Sequence, residues 1–172
     1  MGLADDLSYS HRSNNPLFGL VRAFAGSAVG ARVFFHLLRH LDDVIGRLSG
    51  GRRSAPELLA GLAVLELTTT GRRSGRRRTS HLIATPYDDT LALLGTNFGQ
   101  ESTPAWALNL EADPRATVAF RNVEREVVAR PATAEETEQV FALAGEFYPG
   151  YAHYRERVGS TRRIRAFVLD PV

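Results

Sequence analysis

The densest charge in the chain lies in thirteen residues, TTTGRRSGRRRTS (Thr68–Ser80), which hold Arg72, Arg73, Arg76, Arg77 and Arg78. Guanidinium forks grip phosphates and carboxylates through paired, charge-assisted hydrogen bonds. Gly71 and Gly75 let the backbone turn tightly and approach a ligand. Thr79 and Ser80 add hydroxyl donors. The chemistry available to such a loop is anion binding. Three objects fit it: an anionic small molecule, a nucleic-acid backbone, or only water around a solvated basic hairpin. A nucleic-acid patch usually carries aromatic side chains for stacking, and none lies between Thr68 and Tyr87. A Walker loop does not fit, because G-x-x-x-G-R lacks its spacing and its lysine.

Other reactive constellations are few. Neither G-x-S-x-G, H-E-x-x-H nor G-x-G-x-x-G occurs. The chain has no cysteine, which removes disulfides, thiolate metal sites, iron–sulfur clusters and cysteine nucleophiles. Of the histidines, only His36 and His40 share a helical i,i+4 spacing, with no carboxylate one turn away on that face. Packing or solvated histidines are therefore expected, and no metal. Tyr148, Tyr151 and Tyr154 share one helical face; plain packing explains such a stripe as readily as a pocket does. Trp106 reads as a core anchor, and Asn109 as either a local cap or a ligand-binding group.

These residues need a scaffold. A chain of 172 residues suits one domain and needs no covalent staple. The net charge of +2 is too small for a general nucleic-acid binder. All 21 basic residues are arginine, which reflects codon bias more than function. The first fifteen residues lack an apolar h-region, so no signal peptide is expected. The region from about Pro16 to Leu48 is predicted to be helical, with apolar residues recurring at three and four from Val29 to Leu48; packing as a cover and lying on a membrane both remain open. SGGRRSAP (49–56) reads as a linker, giving an N-terminal extension over 1–56 and a main domain over 57–172. Strands are predicted over 63–69, 78–85 and 90–96, the last two joined by a turn at Pro86–Asp89. Thr103 is predicted to N-cap a helix over 104–110. A hairpin follows, with strands over 117–120 and 124–129 around Arg121-Asn122. A capping box at Thr133–Glu136 starts another helix. A tyrosine-rich helix and a strand over 164–169 complete an α+β, mostly antiparallel sheet of about six strands.

Three ordered blocks resemble one family. LTTTGRRSG (67–75) with Arg78-Thr79 behind it is similar to the signature loop of the deazaflavin-dependent nitroreductases. PAWALNL (104–110) followed by Ala112-Asp113-Pro114 resembles that family's P-x-W-x-x-N-L-x-A-N/D-P. FYPGY (147–151) through Tyr154 is like its Y-P-x-Y-x-x-Y. The resemblance covers about Ala63 to Val172. It implies a split β-barrel of the FMN-binding, flavin-reductase type, with peripheral helices and an N-terminal helical segment. It also implies the 8-hydroxy-5-deazaflavin coenzyme F-420, whose tail carries a phosphate and a run of glutamates, with FMN as a weaker alternative. In the family the coenzyme is met by positions matching Arg72, Arg73, Ser74, Arg78, Thr79, Ser80, His81, Leu82 and Ile83. Leu94, Gly95, Thr96 and Asn97 match a second stretch, and Ala105, Trp106, Ala107, Leu108 and Asn109 a third; Tyr151 completes the set.

The implied activity is hydride transfer from the reduced coenzyme to a quinone-like, enone or nitro-aromatic acceptor, with Tyr151 as proton donor. Ile83 and Ala107 stand where tyrosine is common in the family, and Arg77 and His81 where proline is usual. These departures point away from nitroimidazole reduction and toward quinones or other enone-like acceptors. The alternatives are a non-catalytic split barrel binding FMN or a lipid-like ligand, and a basic-loop nucleic-acid module. A cytoplasmic monomer or homodimer is expected, with no nucleic-acid partner and with membrane association open through the N-terminal helices.

Overall fold

A computed structural model describes residues 2–11, 61–158 and 163–172. The helix predicted over 16–48 and the linker over 49–56 lie outside the described residues.

Among the described residues, seven strands form one antiparallel sheet: β1 (Leu65–Thr70), β2 (Arg77–Leu82), β3 (Thr85–Tyr87), β4 (Thr90–Leu94), β5 (Arg115–Phe120), β6 (Val123–Pro131) and β7 (Ala166–Pro171). Their order is β2-β1-β5-β6-β7-β4-β3. Strands β2 and β3 thus stand at opposite edges, yet only Ile83 and Ala84 join them. In a flat sheet those edges would lie about 29 Å apart, whereas a link of three residue steps reaches about 10 Å. The sheet must therefore curl until its edges meet, leaving a seam at Ile83–Ala84.

Alternation along the strands makes two cores. Leu65, Leu67, Leu91, Leu93, Val118 and Phe167 face the barrel interior. Ala92, Leu94, Ala166 and Val168 face outward from β4 and β7. Two helices cover them, α3 (Ala134–Phe147) and α4 (Gly150–Val158), after α1 (Leu3–Asp6) and α2 (Ala105–Ala112) earlier in the chain. Leu3, Leu7 and Tyr9 are all buried in the interior core, so the start of the chain plugs the barrel.

Several local predictions hold. Arg121 and Asn122 take φ of 48° and 71°, the paired left-handed geometry of a two-residue hairpin turn. Others need correction. The strand predicted over 78–85 breaks at Ile83–Ala84, because the seam needs a bend there. Its last residue joins Pro86 and Tyr87 in β3, the seventh strand, so the reversal falls at Asp88-Asp89, with Asp88 at φ 47°. Thr103 does not cap α2. Pro104 stands at the N-cap with no side-chain bond, and the Thr103 hydroxyl instead accepts from Arg165 Nη1 at 3.2 Å.

The capping box forms as predicted: Thr133 Oγ1 accepts from Glu136 N at 3.1 Å, and Glu136 Oε2 accepts from Thr133 N at 2.8 Å. Arg130 adds a bidentate pair to Glu136 at 2.9 and 2.7 Å. Those Arg130 bonds, then the Thr133 amide, hold the Glu136 carboxyl at about 2, against an ordinary 4.5. A depressed carboxylate stabilises the fold fully above its unfolded pKa and loses that contribution as pH falls through its folded pKa. Glu136→Gln should therefore lower stability by about 1–2 kcal/mol at neutral pH, the half-exposed Arg130 limiting the effect. The gap from wild type should close between about pH 4.5 and 2, read from urea unfolding across that range.

Candidate functional site

The arginine loop is a tight β1–β2 turn. Gly71 N donates to Arg76 O at 2.8 Å and Gly75 N to Gly71 O at 2.7 Å. Gly75 has φ +64°, which favours glycine. A Cβ on Gly71 would come within 2.9 Å of Ser74 Oγ and 3.0 Å of Arg76 O, so a larger residue would push on the Ser74 side chain and on the turn backbone. Residues 72 to 79 are all exposed. Among the described residues, none of Arg72, Arg73, Arg76 and Arg78 meets a carboxylate.

Strand alternation divides the candidate residues of β2 between two faces. Arg78, Ser80 and Leu82 pair with Thr69, Leu67 and Leu65, on the side of the barrel interior. Arg77, Thr79 and His81 point the other way. Arg77 Nη2 donates to Thr117 Oγ1 at 2.8 Å, the Thr79 and Thr68 hydroxyls lie 2.8 Å apart, and His81 Nε2 lies 3.9 Å from Glu66. The structure therefore brings Arg78 and Ser80 together and sets Thr79 and His81 behind them.

Helix α2 ties into the loop through one side chain. Asn109 Oδ1 accepts from Arg72 N at 3.1 Å, and its Nδ2 donates to Thr69 Oγ1 at 3.0 Å. Asn109 thus acts as a cross-tie between helix, strand and loop. The sequence offers no sign of Thr69 in this role, since the pairing spans forty residues. Trp106 is buried, its ring edge-on to Phe167 at 6.0 Å, as a core anchor should be. Ala107 is fully buried, and a Cβ on Gly95 would lie 3.7 Å from the Ala107 methyl. The end of β4 therefore runs close against α2 at Gly95. Leu94 and Thr96 are buried as well, so Ala105, Leu108 and Asn97 are the accessible positions of those two stretches. Asn97 takes φ 48° and donates from Nδ2 to Ser102 O at 3.0 Å.

At the other end of β2 stand the phenols. Tyr151 Oη donates to Ile83 O at 3.4 Å, and the Tyr148 and Tyr154 hydroxyls pair at 2.8 Å. The Tyr151 ring meets those of Tyr148 and Tyr154 edge-on, at 5.5 and 6.2 Å. Burial, then the neighbouring Tyr154, pushes the Tyr151 hydroxyl well above the usual tyrosine value of 10.0. It therefore stays protonated and can donate. From Arg77 to Ile83 is six residue steps, or roughly 20 Å along the strand. The candidate residues thus form an elongated set, with arginines at one end of β2 and phenols and aliphatic side chains at the other. Tyr9, which the sequence did not single out, reaches the same seam from the start of the chain; Leu3 and Leu7, at i,i+4, are the faint sequence sign of that packing.

A family model described as "F420H(2)-dependent quinone reductase" matches residues 37–171. A solved structure described as "F420-H2 Dependent Reductase (FDR-A)" is 29% identical and covers 63% of this chain and 94% of its own, with a TM-score of 0.56. Another, described as a "domain-swapped dimer", is 25% identical over 83% of this chain and 96% of its own, with a TM-score of 0.58. The curled seven-stranded sheet described above is the split β-barrel of the flavin-reductase type.

Proposed function

Because the chain belongs to the F420H(2)-dependent quinone reductase family, we propose that it reduces a quinone-like or other enone-like acceptor with a hydride from reduced F-420, and that Tyr151 protonates the product oxygen. The coenzyme and the oxidoreductase class follow from the family. The acceptor, the site residues and the proton donor are our reading. The observation that carries it is the layout along β2: exposed arginines that meet no carboxylate among the described residues at one end, a buried protonated phenol about 20 Å away at the other.

The residues present fit the coenzyme. Its anionic tail needs cations that are not already neutralised, and Arg72, Arg73 and Arg78 supply them. Asn109 holds the loop backbone so that those cations are displayed in one arrangement. The hydride comes from the coenzyme's own carbon. The protein must then bind, orient and protonate. Leu82 and Ile83 wall the seam, and Tyr151 sits at its carbonyl edge with a proton to give. When an enone or quinone oxygen gains negative charge, a phenol within hydrogen-bond reach stabilises it and can transfer the proton.

An apolar quinone acceptor also fits a peripheral membrane contact by the segment over 16–48, in a cytoplasmic setting. Among the described residues no helix is long and apolar enough to cross a membrane. Titration into purified oxidised F-420, followed by coenzyme fluorescence, tests the reading. Saturable binding of F-420, weaker binding of FMN and none of duplex DNA are expected. FMN or DNA binding more tightly than F-420 would replace the reading by one of its two alternatives.

A further inference from the structure

The seam at Ile83–Ala84 is held from two sides. Tyr151 bonds Ile83 O on one. On the other, the start of the chain converges on the next residue. Tyr9 Oη accepts from Ala84 N at 2.9 Å, donates to Ala63 O at 2.7 Å, and lies 3.2 Å from Ala84 O. His11 repeats the pattern. Its Nε2 lies 2.9 Å from Ala84 O, and its Nδ1 accepts from Ala63 N at 3.1 Å. A carbonyl can only accept, so the imidazole carries its proton on Nε2 and is neutral in this arrangement. The His11 ring then stacks on Phe147, with centroids 3.9 Å apart and planes at 22°. Phe147 in turn meets Tyr151 edge-on at 6.2 Å.

We infer that Tyr9 and His11 are positioning residues for the reduction: they clamp the Ile83–Ala84 bend and, through Phe147, fix the Tyr151 ring. The inference rests on the reading of Tyr151 given above. Three features distinguish the clamp from ordinary core packing. Tyr9 and His11 both bond the same pair of residues, Ala63 and Ala84, although more than fifty residues separate them from either. Tyr9 is buried, yet its hydroxyl both donates and accepts, so a phenylalanine fills the space and loses only the bonds. The stacked His11–Phe147 pair gives a second route to Tyr151 that avoids the Ile83 carbonyl. A buried polar network satisfied at every atom fixes geometry more tightly than apolar contact alone, and hydride transfer followed by protonation needs such fixing.

The test combines amide exchange in the coenzyme-free protein with single-turnover chemistry. Tyr9→Phe should speed exchange of the Ala84 amide, and His11→Ala that of the Ala63 amide. Both should also speed exchange at Tyr151. Oxidation of bound reduced F-420 by a quinone should slow roughly tenfold in each variant, with coenzyme affinity unchanged. His11→Gln, which can still donate to Ala84 O, should recover part of the loss. On a Tyr151→Phe background neither substitution should slow the step further. Faster exchange confined to Ala63 and Ala84, or the same slowing on the Tyr151→Phe background, would overturn the inference. If Tyr151→Phe alone reduces acceptor at the wild-type rate, the proton-donor reading falls instead, and exchange at Tyr151 then decides the clamp by itself.

Discussion

Tyr151→Phe is expected to slow acceptor reduction by roughly 10- to 1,000-fold while leaving the fold and most F-420 affinity intact. The substitution removes one hydroxyl, whose bond to Ile83 O is long at 3.4 Å, and keeps the ring that Phe147, Tyr148 and Tyr154 pack against. Loss of rate therefore reports proton donation more than packing. Burial raises the Tyr151 pKa, so the donor keeps its proton throughout the neutral range and the wild-type rate should show no alkaline limb from this group below about pH 10. The linkage has the same sign. An acid whose folded pKa is raised adds nothing adverse below its unfolded value, and begins to destabilise the fold as pH climbs past about 10. Tyr154→Phe should do less, since its hydroxyl is paired with that of Tyr148 at 2.8 Å. Pre-steady-state oxidation of bound reduced coenzyme measures all of this directly; an unchanged rate in Tyr151→Phe would reduce this residue to packing.

Arg72→Ala combined with Arg73→Ala should weaken F-420 binding more than tenfold, beyond ~1.4 kcal/mol, through loss of charge-assisted contacts to the tail. The weakening should shrink for a coenzyme form lacking the glutamates. Arg77→Ala, which removes one charge from the same loop where the paired substitution removes two, provides a control. Its guanidinium is turned to the other face and bonded to Thr117, so affinity should stay within about twofold of wild type at moderate salt. Equal losses from Arg77→Ala and from the paired substitution would mean that the loop acts as an unstructured cationic cloud.

Short-range signals carried most of the sheet. The Arg121-Asn122 turn and the Thr133–Glu136 capping box were legible because each is settled by residues within four positions of one another. The arginine loop was legible because its glycines and charges are contiguous. The bend at Ile83–Ala84 was not, since nothing local breaks the strand there; ring closure between distant edges imposes it. Thr103 looked like a cap until Arg165, sixty-two positions away, took its hydroxyl. The same limit hid the Asn109–Thr69 tie and the role of Tyr9 and His11. The contacts that tie the loop to α2 and the phenols to the seam are long-range, whereas the residues that give the site its charge are adjacent.

The place of β7 has a consequence for how the protein is made. This strand pairs with β6 on one side and β4 on the other, yet it is the last of the seven to leave the ribosome. Until it arrives, β2-β1-β5-β6 and β4-β3 are two separate fragments with unpaired edges. The nascent chain thus exposes β6 and β4 as sticky strands for the whole synthesis of α3 and α4, and closure is a late, long-range event of the kind that folds slowly. Arrest of translation between Pro131 and Ala166 would leave an aggregation-prone half-barrel, and β7 acts as the keystone that joins its two parts.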